Sequence, residues 1–188
     1  MKRGRLIDYG IVAVVAIVLA LLAQAFLVKP YRIPSESMAG TLRPGDRVLV
    51  NRVVYHLRDP HRGDVMVFRY PEDRNVVFIK RIVGVPGDTL QVRERHLWVN
   101  GRPADEPYVH RTSGRSDPTA ASAPVAGSTM REPWSLARPY TVPADSFFVM
   151  GDNRTDSDDS RFWGTVPRTD IIGEGFFVYW PLGRWAAL

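Results

Sequence analysis

A chain of 188 residues can form one domain with a hydrophobic core and is too short for two large ones. Its 45% hydrophobic and 24% charged residues are ordinary for a folded protein; a modest net charge of +5, with Arg mixed among Asp and Glu, argues against nucleic acid as the main partner. With no cysteine in the chain, disulfides, Cys-based zinc sites and thiol catalysis are excluded.

The first element is apolar. Residues 6–28 read LIDYGIVAVVAIVLALLAQAFLV, and from Ile11 to Val28 only Gln24 interrupts the run. About 20 such residues in a helix span a bilayer core of roughly 30 Å. Lys2, Arg3 and Arg5 precede the run, so the positive-inside rule leaves the N-terminus in the cytoplasm. A cleavable signal peptide is the rival reading, because Ala23-Gln24-Ala25 is a small-x-small triplet. In either case the remaining chain lies outside the cytoplasm. The predicted organisation is a cytoplasmic N-terminus at 1–5, a transmembrane anchor at 6–28 and an extracytoplasmic domain at 29–188.

That domain reads as mainly β. Short runs rich in Val, Ile and Phe occupy 46–55, 64–68, 75–83 and 89–92, separated by Pro-Gly-Asp and Arg-Gly-Asp turn clusters. Asn100-Gly101 after HLWV is a hairpin signal, and SFFVMGDN and IIGEGFFVYW supply two strands near the C-terminus. Beyond the anchor no segment sustains a 3.6-residue period, so helices are minor. Residues 111–139, rich in Ser, Ala, Pro and Gly, are expected to form a mobile insertion.

Two stretches carry candidate chemistry. In IPSESMAGTLRPGD (33–46), Ser35 and Ser37 flank Glu36 just past the anchor, and Pro34 favours an extended or turn conformation. A polar linker would look the same. The second stretch is VVFIKRIVG (76–84). Of the 25 basic residues only Lys2, Lys29 and Lys80 are lysines, so Lys80 is the only lysine beyond the first thirty residues. On a strand it shares a face with Phe78 and Ile82. Burial of that face disfavours the ammonium and lowers the lysine pKa, making a general base that arginine cannot replace. A strand lysine snorkelling to water is the competing reading.

Four blocks resemble the conserved boxes of bacterial type I signal peptidases, membrane-anchored Ser-Lys endopeptidases. They are PSESM (34–38), RGDVMVF (62–68), KRIVGVPGD (80–88) and GDNRTDSDDSRFWG (151–164), in the family's order and behind a single apolar span. The resemblance implies an antiparallel β catalytic domain of that type, with Ser37 as nucleophile and Lys80 as general base. It implies Ser35 as a side-chain oxyanion donor beside the Ser37 amide, and Ser157 as the serine that hydrogen-bonds and orients the lysine. Asp159 and Arg161 match a supporting pair. Glu36 departs from the many relatives with a small residue there, which bears on substrate preference more than on chemistry.

The implied substrates are secretory preproteins cut after small-x-small sites at the outer face of the bacterial plasma membrane. Ile33, Met38, Phe78 and Ile79 are the candidate pocket residues, and neither a metal nor a cofactor is implied. Rival readings remain. His56, His61, His96 and His110 are available for a Ser-His-Asp triad, but no Gly-x-Ser-x-Gly elbow or His-x-x-x-His pair occurs. Asp156, Asp158 and Asp159 suggest a calcium tract but lack EF-hand spacing. A Ser-Lys autoprotease of the repressor type would need a DNA-binding module where the anchor stands. A non-enzymatic β domain is the remaining alternative.

Overall fold

The computed structural model describes residues 9–18, 27–93, 96–110, 136 and 138–188. Residues 9–18 form helix α1, whose apolar side chains are exposed, from Val18 at 48% to Val12 at 65%. Among the described residues no helix is long and apolar enough to cross a membrane. The rest of the predicted 6–28 span lies outside them, except at its C-terminal end. There Val28 is not helical; it opens strand β1 (Val28–Arg32), paired with Asn51.

Among the described residues eleven strands follow β1: β2 (Arg47–Asn51), β3 (Val65–Arg69), β4 (Val77–Gly84), β5 (Thr89–Arg93), β6 (His96–Val99), β7 (Arg102–Pro103), β8 (Tyr140–Thr141), β9 (Ser146–Met150), β10 (Val166–Pro167), β11 (Ile171–Trp180) and β12 (Ala186–Ala187). Their pairings are antiparallel. The larger sheet runs β1-β2-β11-β3-β4-β9-β10 with β12 on β11, and the smaller runs β7-β6-β5-β8. The apolar runs seen in the sequence therefore become strands. The expected 46–55 strand is shorter. It stops at Asn51, whose Oδ1 accepts from the amides of Val53 and Val54 and starts the one-turn helix α2 (Val54–Leu57). Asn100 and Gly101, at φ 52° and 76°, make the predicted β6–β7 hairpin.

Strand β3 shows why its run is continuous rather than alternating. Val65 and Val67 pack with Ile33, Met38, Leu42, Val48 and Val50 on one face, and Met66 and Phe68 pack with Ile82, Phe147 and Val149 on the other. Both faces are buried, so period-2 patterning gives way to an unbroken apolar string. Each such side chain contributes about 1.5–3 kcal/mol by leaving water. A third cluster joins Val83, Phe148 and Met150 to Leu90, Leu97 and Val99 of the small sheet. Leu136, from the predicted 111–139 insertion, is buried there, and its carbonyl accepts from the Val92 amide at 2.8 Å. Most of that insertion lies outside the described residues.

The C-terminus is fastened to the loop that follows the two candidate serines. Arg184 reaches buried Asp46 at 2.9–3.2 Å through Nε and Nη2, and Asp46 also accepts the Arg43 amide at 2.8 Å. Removing the cation strands a carboxylate that is 2% exposed. Arg184→Ala is expected to cost about 2–4 kcal/mol, read as a lower denaturant midpoint at unchanged m-value.

Candidate active site

Ser37 lies in a turn closed by Ala39 N–H to Glu36 O at 2.9 Å and Leu42 N–H to Met38 O at 2.7 Å. The turn is held from outside by the segment after β9. Asn153 N–H donates to Ser37 O at 3.1 Å, and Asn153 Nδ2 donates to Glu36 O at 3.2 Å. Ser37 is 7% exposed, and its Oγ is 3.3 Å from Ser35 Oγ. Among the described residues the Ser37 amide meets no acceptor.

Lys80 is in the middle of β4, opposite Met66 on β3. It is 4% exposed, and its ammonium lies 5.6 Å from the Phe78 ring centroid. Among the described residues its Nζ makes no hydrogen bond or ion pair. Burial draws its pKa down from 10.5 to about 8, against the opposing fields of Asp159 and Asp158. The next residue meets the opposite fate. Arg81 faces the other way and keeps its charge through a fork to Asp152, Nε–Oδ1 at 2.8 Å and Nη2–Oδ2 at 2.7 Å. Thr41 Oγ1 donates to the same carboxylate at 2.6 Å, and Arg81 Nη1 donates to Gly63 O at 2.7 Å. The lysine strand, the serine loop and the 151–161 segment thus meet at Asp152.

A second fork completes the floor. Asp159 caps the short helix α3 (Ser160–Trp163) and pairs with Arg161, Nε–Oδ1 at 2.8 Å and Nη2–Oδ2 at 2.9 Å. Its Oδ2 also accepts from Ser157 Oγ at 2.7 Å and Gly151 N–H at 2.9 Å. These donors hold the Asp159 carboxyl low despite complete burial, Arg161 foremost. The Ser157 hydroxyl, expected on Lys80, is thus spent on Asp159, because an ionised carboxylate is the stronger acceptor. A hydroxyl can still accept while it donates.

Ser35, Ser37, Lys80 and Ser157 line one cleft of about 430 Å³, with Pro34, Val77, Phe78 and Ile79 as apolar wall and Glu36, Asp156 and Asp158 at its edge. Asp158 is exposed as a residue; loss of water around its carboxyl and the neighbouring Asp159 charge push its pKa up to about 6. Of the four pocket candidates, Phe78 and Ile79 line this cleft. Ile33 and Met38 do not; at 2% and 0% exposure they sit in the core with Leu42 and Val48. Apolar neighbours in sequence marked both possibilities alike, and only packing separates them. Histidines are absent from the cleft lining. A larger cavity of about 630 Å³, lined by Arg62, Leu97 and Tyr108, holds none of the candidate serines or the lysine. Among the described residues no cluster of three or more His, Asp or Glu side chains could hold a metal ion, and Asp159 is committed to Arg161.

Sequence reasoning missed Arg81, Asp152 and Gly151, although all three lie in the KRIVGVPGD and GDNRTDSDDSRFWG blocks. The signal for Gly151 is steric: a Cβ there would lie 2.2 Å from Ser157 Oγ and 2.3 Å from Ser37 O. A serine hydroxyl and a buried, easily neutralised amine in one cleft are equipment for acyl transfer.

Known proteins match this chain over most of its length. The model of the signal peptidase family, peptidase S26, matches residues 6–180. Signal peptidase I of Pseudomonas aeruginosa is 38% identical over 96% of this chain and 75% of its own length. The Bacillus licheniformis signal peptidase I is 34% identical over 97% of this chain and 93% of its own. A solved signal peptidase I from Enterococcus faecalis aligns at TM-score 0.47 and 27% identity over 62% of this chain and 97% of that one. The chain belongs to the signal peptidase family, peptidase S26.

Gly151→Ala is expected to lower kcat/KM by about 100-fold, since a displacement near 1 Å between reacting groups costs that much. A variant retaining more than a tenth of wild-type turnover on a preprotein would contradict the close-approach reading.

Proposed function

We propose that Ser37 and Lys80 form the catalytic dyad by which this serine peptidase removes signal peptides from preproteins. The activity is that of the family; the assignment of residues rests chiefly on Lys80, buried and drawn to about 8 in the cleft that also holds Ser37. Neutral Lys80 takes the Ser37 proton as Oγ attacks the scissile carbonyl. The ammonium then protonates the leaving amine, and the acyl-ester is released by water that the neutral amine activates. Ser35 Oγ and the Ser37 amide serve as oxyanion donors, while Ser157, Asp159 and Arg161 hold the floor.

Small-x-small cleavage sites suit an apolar wall of Val77, Phe78 and Ile79. The preprotein would lie extended beside it, by strand addition. Residues 6–28 act as a single-pass anchor, N-terminus in the cytoplasm and catalytic domain on the outer face of the bacterial plasma membrane. The apolar run, the basic residues before it and the exposed apolar side chains of α1 support that reading. Confinement to the bilayer that carries the substrate raises the effective concentration of cleavage sites.

Because the free amine is the working form, kcat/KM should rise about tenfold per pH unit below about pH 8 and level off above it. A pH–rate profile with its ascending limb near 10.5, or none, would remove Lys80 as base. The sign for stability is parallel: the unfolded chain binds the proton more tightly, so stability rises with pH between about 8 and 10.5.

Lys80→Arg keeps the charge and removes the base. Cleavage of an Ala-x-Ala preprotein should fall by at least about 10³-fold, and Ser37→Ala should match it, with circular dichroism unchanged in both. Near-normal turnover by either variant would sink the dyad.

A further inference from the structure

On the part of the domain where the chain enters from the apolar segment there is a further cavity, of about 290 Å³. Its charged lining is cationic, from Arg52 and Arg168, with His56 and Thr169 beside them and Ile171 and Ile172 as apolar lining; no carboxylate lines it. We propose that this cavity binds the phosphate of an anionic membrane lipid where the chain leaves the bilayer. The proposal rests on the reading of residues 6–28 as a membrane anchor.

The local backbone is built to make this cavity. Gly173 on β11 has no side chain, and a Cβ there would lie 2.2 Å from Asn51 O and 3.0 Å from Arg52 Cα. The bare glycine lets the end of β2 press against β11, which brings Arg52 beside Ile171 and Ile172. Asn51 Oδ1 then turns the chain into α2 by accepting from Val53 and Val54 at 3.0 and 3.1 Å, and this presents His56 at the rim. The Tyr55 ring also lines the cavity, while its hydroxyl is turned to Asp64 at 3.3 Å.

The cations are available. Among the described residues the Arg52 guanidinium has no hydrogen-bond or ion-pair partner. Arg168 pairs with Asp59 at 2.6 Å, but the two side chains are 40% and 78% exposed, and an exposed pair of this kind is easily exchanged. Guanidinium forks match phosphate oxygens in two parallel hydrogen bonds, which a point charge does not.

Position favours a lipid over a soluble phosphate. The Arg52 amide donates to Leu27 O at 2.9 Å, so the cavity adjoins the C-terminal end of the apolar segment. Leu27 is 42% exposed and Leu57, next to His56, is 84% exposed. Apolar side chains bracketing a cationic hollow fit the boundary between acyl chains and headgroups.

The test uses the full chain reconstituted in phosphatidylcholine vesicles with trace spin-labelled phosphatidylglycerol or phosphatidylcholine. The protein-immobilised fraction should favour the anionic label, by roughly fivefold for each arginine at the surface. Arg52→Ala with Arg168→Ala should abolish that preference while cleavage of a preprotein in detergent is unchanged. Carbonate extraction of the same vesicles reports insertion separately. Insertion without lipid preference, or a preference that survives the double variant, overturns the site and leaves the anchor reading standing. A wild-type chain that carbonate removes overturns the anchor reading and the lipid assignment with it. Complete displacement of the label by inorganic phosphate at matched ionic strength would make the cavity a general phosphate site and overturn the lipid assignment alone.

Discussion

A positive charge in the middle of a buried strand is costly, and β4 carries two in succession, at Lys80 and Arg81. The chain resolves them in opposite ways. Arg81 is matched by Asp152 in a two-bond fork and keeps its proton, as guanidinium must. Lys80 is given no such partner among the described residues, so burial is relieved by weakening its hold on the proton. Strand alternation lets neighbours live in such different surroundings, since successive side chains point to opposite faces.

Around that pair the structure is largely an arrangement of buried carboxylates. Asp152 joins Arg81 to Thr41, Asp159 joins Arg161 to Ser157 and the Gly151 amide, and Asp46 joins Arg184 to the Arg43 amide. Each is satisfied several times over, which is the condition under which a buried charge fixes geometry instead of disrupting it. The Ser37 loop has no regular secondary structure of its own, and these carboxylates, with Asn153, hold it against β4 and the 151–161 segment. Asp159 is the finest balance: it steadies Ser157, yet its field opposes the loss of the Lys80 proton. The proposed chemistry depends on burial outweighing that field.

Much of this was legible in the sequence. The β class, most strand positions and the Asn100-Gly101 hairpin follow from local patterns of apolar and turn residues. The solitary lysine and the two flanking serines stood out by composition, and the four blocks tied them to a family. Where the packing departs from these expectations, the cause is shared. Ile33 and Met38 border the serines in sequence, as pocket residues would, yet face the core; Ser157 was expected on Lys80, yet a carboxylate two residues away competes for its hydroxyl. Arg81 and Gly151 were passed over because their importance lies in what approaches them from distant strands.

The sequence by itself determined which groups could react and which segments would extend, because side-chain chemistry and φ/ψ preference are local properties. Tertiary structure alone decided that Ser37 and Lys80 share a cleft. It also decided that water would be excluded from the lysine, because desolvation is set by every chain segment packed around a group and by none of its neighbours in sequence alone.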